Sequence, residues 1–140
     1  MTTYDDLPPA LFAFPGPVRD MLVAAVLSGA KTSTTGLLTE YEVAGDALPV
    51  VGGRMVVMDS AERPVAVLEV TDVRILPLAE VDLEHALDEG EGYTSVADWR
   101  DTHERYWHGP QMREVLGDPE FTVADDTLVV AERFRVVERL

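Results

Sequence analysis

An α+β fold with a small antiparallel β-barrel core is predicted by three features of this sequence. Apolar residues recur at helical spacing near the N-terminus, the period changes to alternation from Arg54 onward, and a last alternating run, Thr127 to Glu138, is placed to close the sheet. The order helix, hairpin, helices, strand does not suit a doubly wound parallel sheet. No internal repeat or low-complexity segment interrupts it, and 140 residues is the usual size of one domain. Residues 1–16 read as an irregular lead-in and residues 17–140 as a single domain.

Pro17 fits the first position of a helix running to Ser28, because proline there forfeits no helical hydrogen bond. Val18, Met21, Leu22, Ala25 and Val26 give that helix an apolar stripe, and Gly29 predicts a left-handed cap. Ala30 to Thr35 follows as a segment dense in small hydroxyls, then a short helix or turn from Leu37 to Tyr41. Arg54 to Asp59 reads as a strand, Ser60 to Arg63 as a turn and Pro64 to Ile75 as a longer strand, together a hairpin. Leu78 to Asp88 reads as a helix and Glu89-Gly90-Glu91-Gly92 as a loop. Ser95 with Asp98 makes a capping-box-like start for a helix through Trp107.

Composition narrows the function classes. The chain is 46% hydrophobic, enough for a sizeable core, and no apolar run approaches the roughly 18 residues of a membrane span. The N-terminus lacks the basic start and apolar stretch of a secretory signal, which predicts a cytoplasmic protein. Without cysteine there is no disulfide framework, thiolate zinc site or thiol nucleophile. The formal charge of −15, from 11 basic and 26 acidic residues without a basic run, argues against binding long nucleic acid through its phosphates. A nucleoside or a single RNA loop suits a local cationic pocket better.

Several residues stand out chemically. Lys31 is the only lysine, which is either a survivor of codon bias or a site needing an ammonium that, unlike guanidinium, can give up its proton. Three residues on, Thr34 could meet it if the loop turns, as a nucleophile activated by a base. Glu69 lies within Val65-Ala66-Val67-Leu68-Glu69-Val70, where both faces are otherwise apolar. A carboxylate there is either salt-bridged, to Arg54 or Arg74, or a pocket acid with a shifted pKa. Trp99, His103, Tyr106 and Trp107 share a helix face and read mainly as core, with Arg100 beside them able to reach a pocket. Glu89 and Glu91 read as a solvated loop, with a divalent-ion site as the alternative.

Gly29-Ala30-Lys31-Thr32-Ser33-Thr34 resembles the Gly-x-Lys-x-x-Thr signature of ASCH domains, a branch of the PUA-like superfamily. Leu37-Leu38-x-Glu40-Tyr41, Pro49 to Gly52, the strand with Glu69, the Glu-Gly-Glu-Gly loop, Trp99-Arg100 and His103 continue the resemblance to longer bacterial members, over about residues 17–138. It implies a small PUA-like β-barrel with flanking helices. It also implies two activities: amide hydrolysis of an acylated nucleoside such as N4-acetylcytidine, or RNA binding or ribonuclease action in the same cleft.

For the amidohydrolase, the resemblance implies Lys31, Thr34 and Glu69 as catalytic residues. Ser33, Thr35, Tyr41, Arg54, Glu91, Trp99 and Arg100 are the residues expected around the substrate. No cofactor is expected, a divalent metal being the open option, and the expected partner is a nucleoside-like molecule or a short single-stranded RNA. Where those members carry an aspartate after Glu-Gly-Glu-Gly, this chain has Tyr93, and Gly36 stands where some carry a basic residue.

Overall fold

The computed structural model describes residues 6–140. In chain order its elements are β1 (Pro9–Ala10), α1 (Pro17–Ser28), β2 (Ser33–Leu37), α2 (Leu38–Ala44), β3 (Arg54–Met58), β4 (Pro64–Pro77), α3 (Leu83–Asp88), α4 (Val96–Trp107), α5 (Pro110–Leu116) and β5 (Leu128–Arg139), with a 3-10 turn at Leu78–Glu80. One sheet holds the five strands in the order β1-β3-β4-β5-β2. β1 runs parallel to β3, and the other pairings are antiparallel.

The α+β class is as expected, but the closed barrel is not formed. Closure needs the two end strands to pair. Here the ends are β1, only two residues long, and β2, which lies on the far side of β5. The sheet is therefore open, with β2 as one edge strand. That edge positions the site.

Local chemistry explains the helices. Pro17 opens α1 and Gly29 closes it in the left-handed conformation (φ 85°), its N–H donating to Val26. The face of α1 turned inward is Arg19, Leu22, Val23 and Val26, while Val18 and Met21 stay exposed, so the buried stripe is offset from the one read in the sequence. Arg19 is satisfied there by the Phe12 and Ala13 carbonyls. Ser95 caps α4 by accepting from the Asp98 N–H. The expected helix from Leu78 to Asp88 is divided, because Asp82 caps a new helix by accepting from the His85 N–H. Ser33 to Leu37 is a strand, where a hydroxyl-rich segment to Thr35 and a helix or turn from Leu37 were expected, and α5 is an addition.

Two cores flank the sheet. On one face α1 and Phe12 pack on Val57, Ala66, Leu68, Val70 and Phe134. On the other, near β2, Trp99, Trp107, Met112 and Leu78 pack on Leu37 and Val129. Trp99 and Trp107 are almost fully buried. Each such ring removes about 150–250 Å² from water, so α4 is held by its aromatics. Among the described residues, no helix is long and apolar enough to cross a membrane.

Candidate functional site

The edge strand β2 is covered by other parts of the chain. The Lys31 N–H donates to the Ala25 carbonyl at 3.0 Å and the Thr32 N–H to the Asp88 carbonyl at 2.8 Å. Ser33, fully buried, donates its hydroxyl to the His85 carbonyl at 2.8 Å. Successive strand residues point to opposite faces, yet at an edge both can border one space. Thr34 and Thr35 both line a cavity of about 180 Å³. Its other walls are Leu11, Phe12, Ala13, Val18 and Leu22 on the α1 side, and Glu89, Glu91, Tyr93, Thr102, His103, Tyr106 and Trp107 on the α4 side, with Glu40 from α2.

Lys31 occupies the wall of this cavity at 2% exposure. Its Nζ donates to the Glu89 carbonyl and to Glu91 Oε2, both at 3.3 Å, and lies 3.6 Å from Glu89 Oε1. The ammonium also sits 5.9 Å from the centre of the Phe12 ring. The loop that supplies both carboxylates can approach this closely because residue 90 is glycine. Gly90 has φ 70°, and a Cβ there would collide with the Ala30 carbonyl and the Lys31 N–H.

Glu89 is the centre of the polar cluster, at 1% exposure. Its Oε2 accepts from Thr35 Oγ1 and from Trp99 Nε1, each at 2.8 Å, and its Oε1 lies 3.1 Å from His103 Nε2. The other nitrogen of His103 lies 2.8 Å from the Trp99 carbonyl, so both ring nitrogens face oxygen acceptors. His85 Nε2 meets Thr35 Oγ1 at 2.7 Å, and its buried Nδ1 has no partner. A proton on Nε2 leaves only a lone pair unmatched, and gives a chain in which His85 donates to Thr35 and Thr35 to Glu89.

The environments push the two carboxyls apart. Burial alone would raise Glu89, but the hydrogen bonds from His103 and His85 and the Lys31 charge outweigh it and hold Glu89 well below the usual carboxylate range. Glu91 is raised, chiefly by burial with the Glu89 charge adding, against the pull of Lys31. Tyr93 donates to Glu91 Oε1 at 3.2 Å and is itself raised by burial and the acidic neighbours. Two carboxyls displaced in opposite directions beside one ammonium form a set suited to moving protons and stabilising charge. Among the described residues, no three His, Asp or Glu side chains converge as ligands for a metal ion.

A family model for the ASCH domain matches residues 11–138. The chain belongs to the ASCH domain family. Two solved structures share its fold. A protein from Enterococcus faecalis assigned to family DUF984 matches with 26% identity and a TM-score of 0.75, covering 92% of this chain and 75% of that one. An ASCH domain from Lactobacillus crispatus matches with 28% identity and a TM-score of 0.72, covering 86% and 72% respectively. Curated proteins give no match.

In this ASCH domain, Lys31, Thr34, Thr35 and Glu91 come together around the cavity. The other residues read from the sequence lie outside its walls. Glu69 pairs with its cross-strand neighbours, Arg54 at 3.4 Å and Arg135 at 3.1 Å, and those pairings hold it below its usual value despite some desolvation. Arg100 binds Asp125 at 2.6 Å. Tyr41 packs beside Gly36. Trp99 reaches the site only through its N–H to Glu89.

Glu89, His85, His103 and Glu40 were not among the expected site residues. The reading of Glu89 and Glu91 as a solvated loop is corrected by their contacts with Lys31. The available signal was the glycine between them, which allows a close backbone approach.

Proposed function

We propose that this ASCH domain hydrolyses an amide of a nucleoside-like small molecule, of which N4-acetylcytidine is the model substrate. The observation that carries the reading is a buried ammonium between two carboxylates in the wall of a cavity of about 180 Å³ that Thr34 also lines. That volume is below the roughly 300 Å³ at which drug-sized pockets begin, so it suits one base or acyl amide rather than a strand. The −15 charge of the chain supports a ligand with little negative charge.

Within this reading Thr34 Oγ1 attacks the acyl carbon. Lys31, flanked by Glu89 and Glu91, is a donor, so it serves the acyl oxygen as charge develops there. Glu89 fixes Lys31, and the raised Glu91, at the cavity wall, orients the nitrogen side of the amide. The carboxylate role first expected of Glu69 thus passes to the loop glutamates.

Incubation of the purified protein with N4-acetylcytidine, with cytidine and acetate followed by mass spectrometry, tests the proposal. Turnover is expected from the wild type. Thr34→Val, which removes a hydroxyl and leaves the Lys31 pair intact, is expected to lower it by about 10²–10⁴-fold, and Lys31→Met, which removes the charged donor, to abolish it. Glu69→Gln is expected to leave turnover unchanged, since its carboxylate faces Arg54 and Arg135. A Thr34→Val enzyme as fast as wild type would refute the mechanism. No turnover by the wild type, with salt-sensitive binding of a short single-stranded RNA, would favour the RNA-binding reading instead.

A further inference from the structure

The chemistry above leaves the proton of the Thr34 hydroxyl without an acceptor, because Lys31 is engaged with carboxylates. β5 carries a buried carboxyl that no step yet uses. Glu132 is directly opposite Thr34 on β2 and Val73 on β4. Directly paired residues of antiparallel strands project to the same face, with Cβ atoms about 4.5–5.5 Å apart. Glu132 and Thr34 therefore lie side by side, on the face that also carries Phe134.

Glu132 is 7% exposed. Burial pushes its carboxyl up to about 7, and the nearby Lys31 charge opposes this; no hydrogen bond from a described residue holds it. The titratable groups that face it are Lys31, two residues before β2, and Tyr41 of α2, which is raised by burial and by the charge of Glu132. From β4 it meets the apolar Val73. Among the described residues it is the buried carboxyl paired directly across the sheet from the candidate nucleophile, and that placement gives it a use.

We propose that Glu132 is the proton acceptor for the Thr34 hydroxyl, an inference that rests on the hydrolytic reading of the same cavity. The Thr34 O–H bond breaks and its proton moves to the Glu132 carboxylate as Oγ1 bonds to the acyl carbon. The carbonyl π pair moves onto the acyl oxygen beside Lys31. When the adduct collapses, the C–N bond breaks and the leaving nitrogen takes the proton back from Glu132. Water then attacks the threonine ester, passing its proton to Glu132, and Glu132 returns one to Thr34 Oγ1 as the free acid departs. A group that titrates near neutral pH is suited to both directions of transfer.

The test uses p-nitrophenyl acetate as an acylating probe, with acid quenching and peptide mapping of acetylated Thr34 between pH 5 and pH 9. In the wild type the labelling rate is expected to rise through about pH 7 and then level. In Glu132→Gln, of nearly the same shape, it is expected to fall by at least about 100-fold and lose that rise. Altered packing alone would slow labelling without removing the pH dependence. Should the glutamine variant fail to fold, Glu132→Asp is expected to keep the rise at a reduced rate.

Labelling of Thr34 at equal rates in wild type and Glu132→Gln, a flat profile in Glu132→Asp, or no labelling of Thr34 in the folded wild type would each overturn the assignment. Turnover of N4-acetylcytidine measured alongside separates the two claims. Glu132-dependent labelling without turnover retains the proton acceptor and discards that substrate.

Discussion

Replacing Glu89 with alanine is expected to destabilise the fold by about 3–5 kcal/mol, the usual cost of removing one partner from a buried charged pair. Three side chains would be left without an acceptor and a fourth would lose a charge partner. Thr35 Oγ1 and Trp99 Nε1 would each lose a bond of 2.8 Å, His103 Nε2 one of 3.1 Å, and Lys31 a charge partner at 3.6 Å. Lys31 would keep Glu91 Oε2 and the backbone carbonyl of residue 89, both at 3.3 Å. Urea denaturation at neutral pH reads the loss, and a change below about 1 kcal/mol would show that the cluster is not held by Glu89.

The same residue sets an acid limit. Its folded pKa lies below the ordinary 4.5, so its stabilisation is complete above 4.5 and is lost as pH falls through the folded value. Wild type is therefore expected to lose stability in acid more steeply than Glu89→Gln.

How much of this was legible in the sequence depended on whether a residue's partner was local. The ends of α1 were readable because Pro17 and Gly29 act through their own backbone angles, and the start of α4 because Ser95 reaches only to residue 98. The β3–β4 hairpin was readable from alternation and its turn. β2 was not, since its two strand-favouring threonines are offset by Gly36 in a run of five residues without apolar alternation, and pairing with β5 decides the conformation.

Two readings were open for the mid-strand Glu69, a salt bridge to Arg54 or Arg74 or a pocket acid, and the structure pairs it with Arg54 and with Arg135 in place of Arg74. Glu69 turns to the face where Arg54 and Arg135 flank it. Glu132, in Val129-Val130-Ala131-Glu132-Arg133-Phe134, is the more enclosed at 7% exposure, on a strand flanked by β4 and β2. Alternation states which residues share a face and is silent on which face is covered. The sole lysine was legible as an oddity, while its partners, 58 and 60 residues away, depend on tertiary packing of a loop.

That packing gives the second large effect. Gly90→Ala is expected to destabilise the protein by about 2–4 kcal/mol, the sum of left-handed strain at φ 70° and a backbone collision. The collision cannot be relieved by rotating a side chain, because the atoms it meets are the Ala30 carbonyl and the Lys31 N–H. The loop must move as a whole, taking Glu89 and Glu91 away from Lys31, so turnover should fall along with stability.

Gly92→Ala is the matched control. Its φ of 86° carries the same kind of strain, but nothing lies within 4 Å of the added Cβ, so its cost should stop at about 1–2 kcal/mol. Urea denaturation of the two variants, with N4-acetylcytidine turnover measured on each, isolates the close approach from the strain. Equal losses in both would mean that the contact between residue 90 and Ala30 does not hold the loop. A Gly90 variant that is destabilised yet fully active would detach Glu89 and Glu91 from the chemistry, leaving Thr34 and Glu132 to account for it.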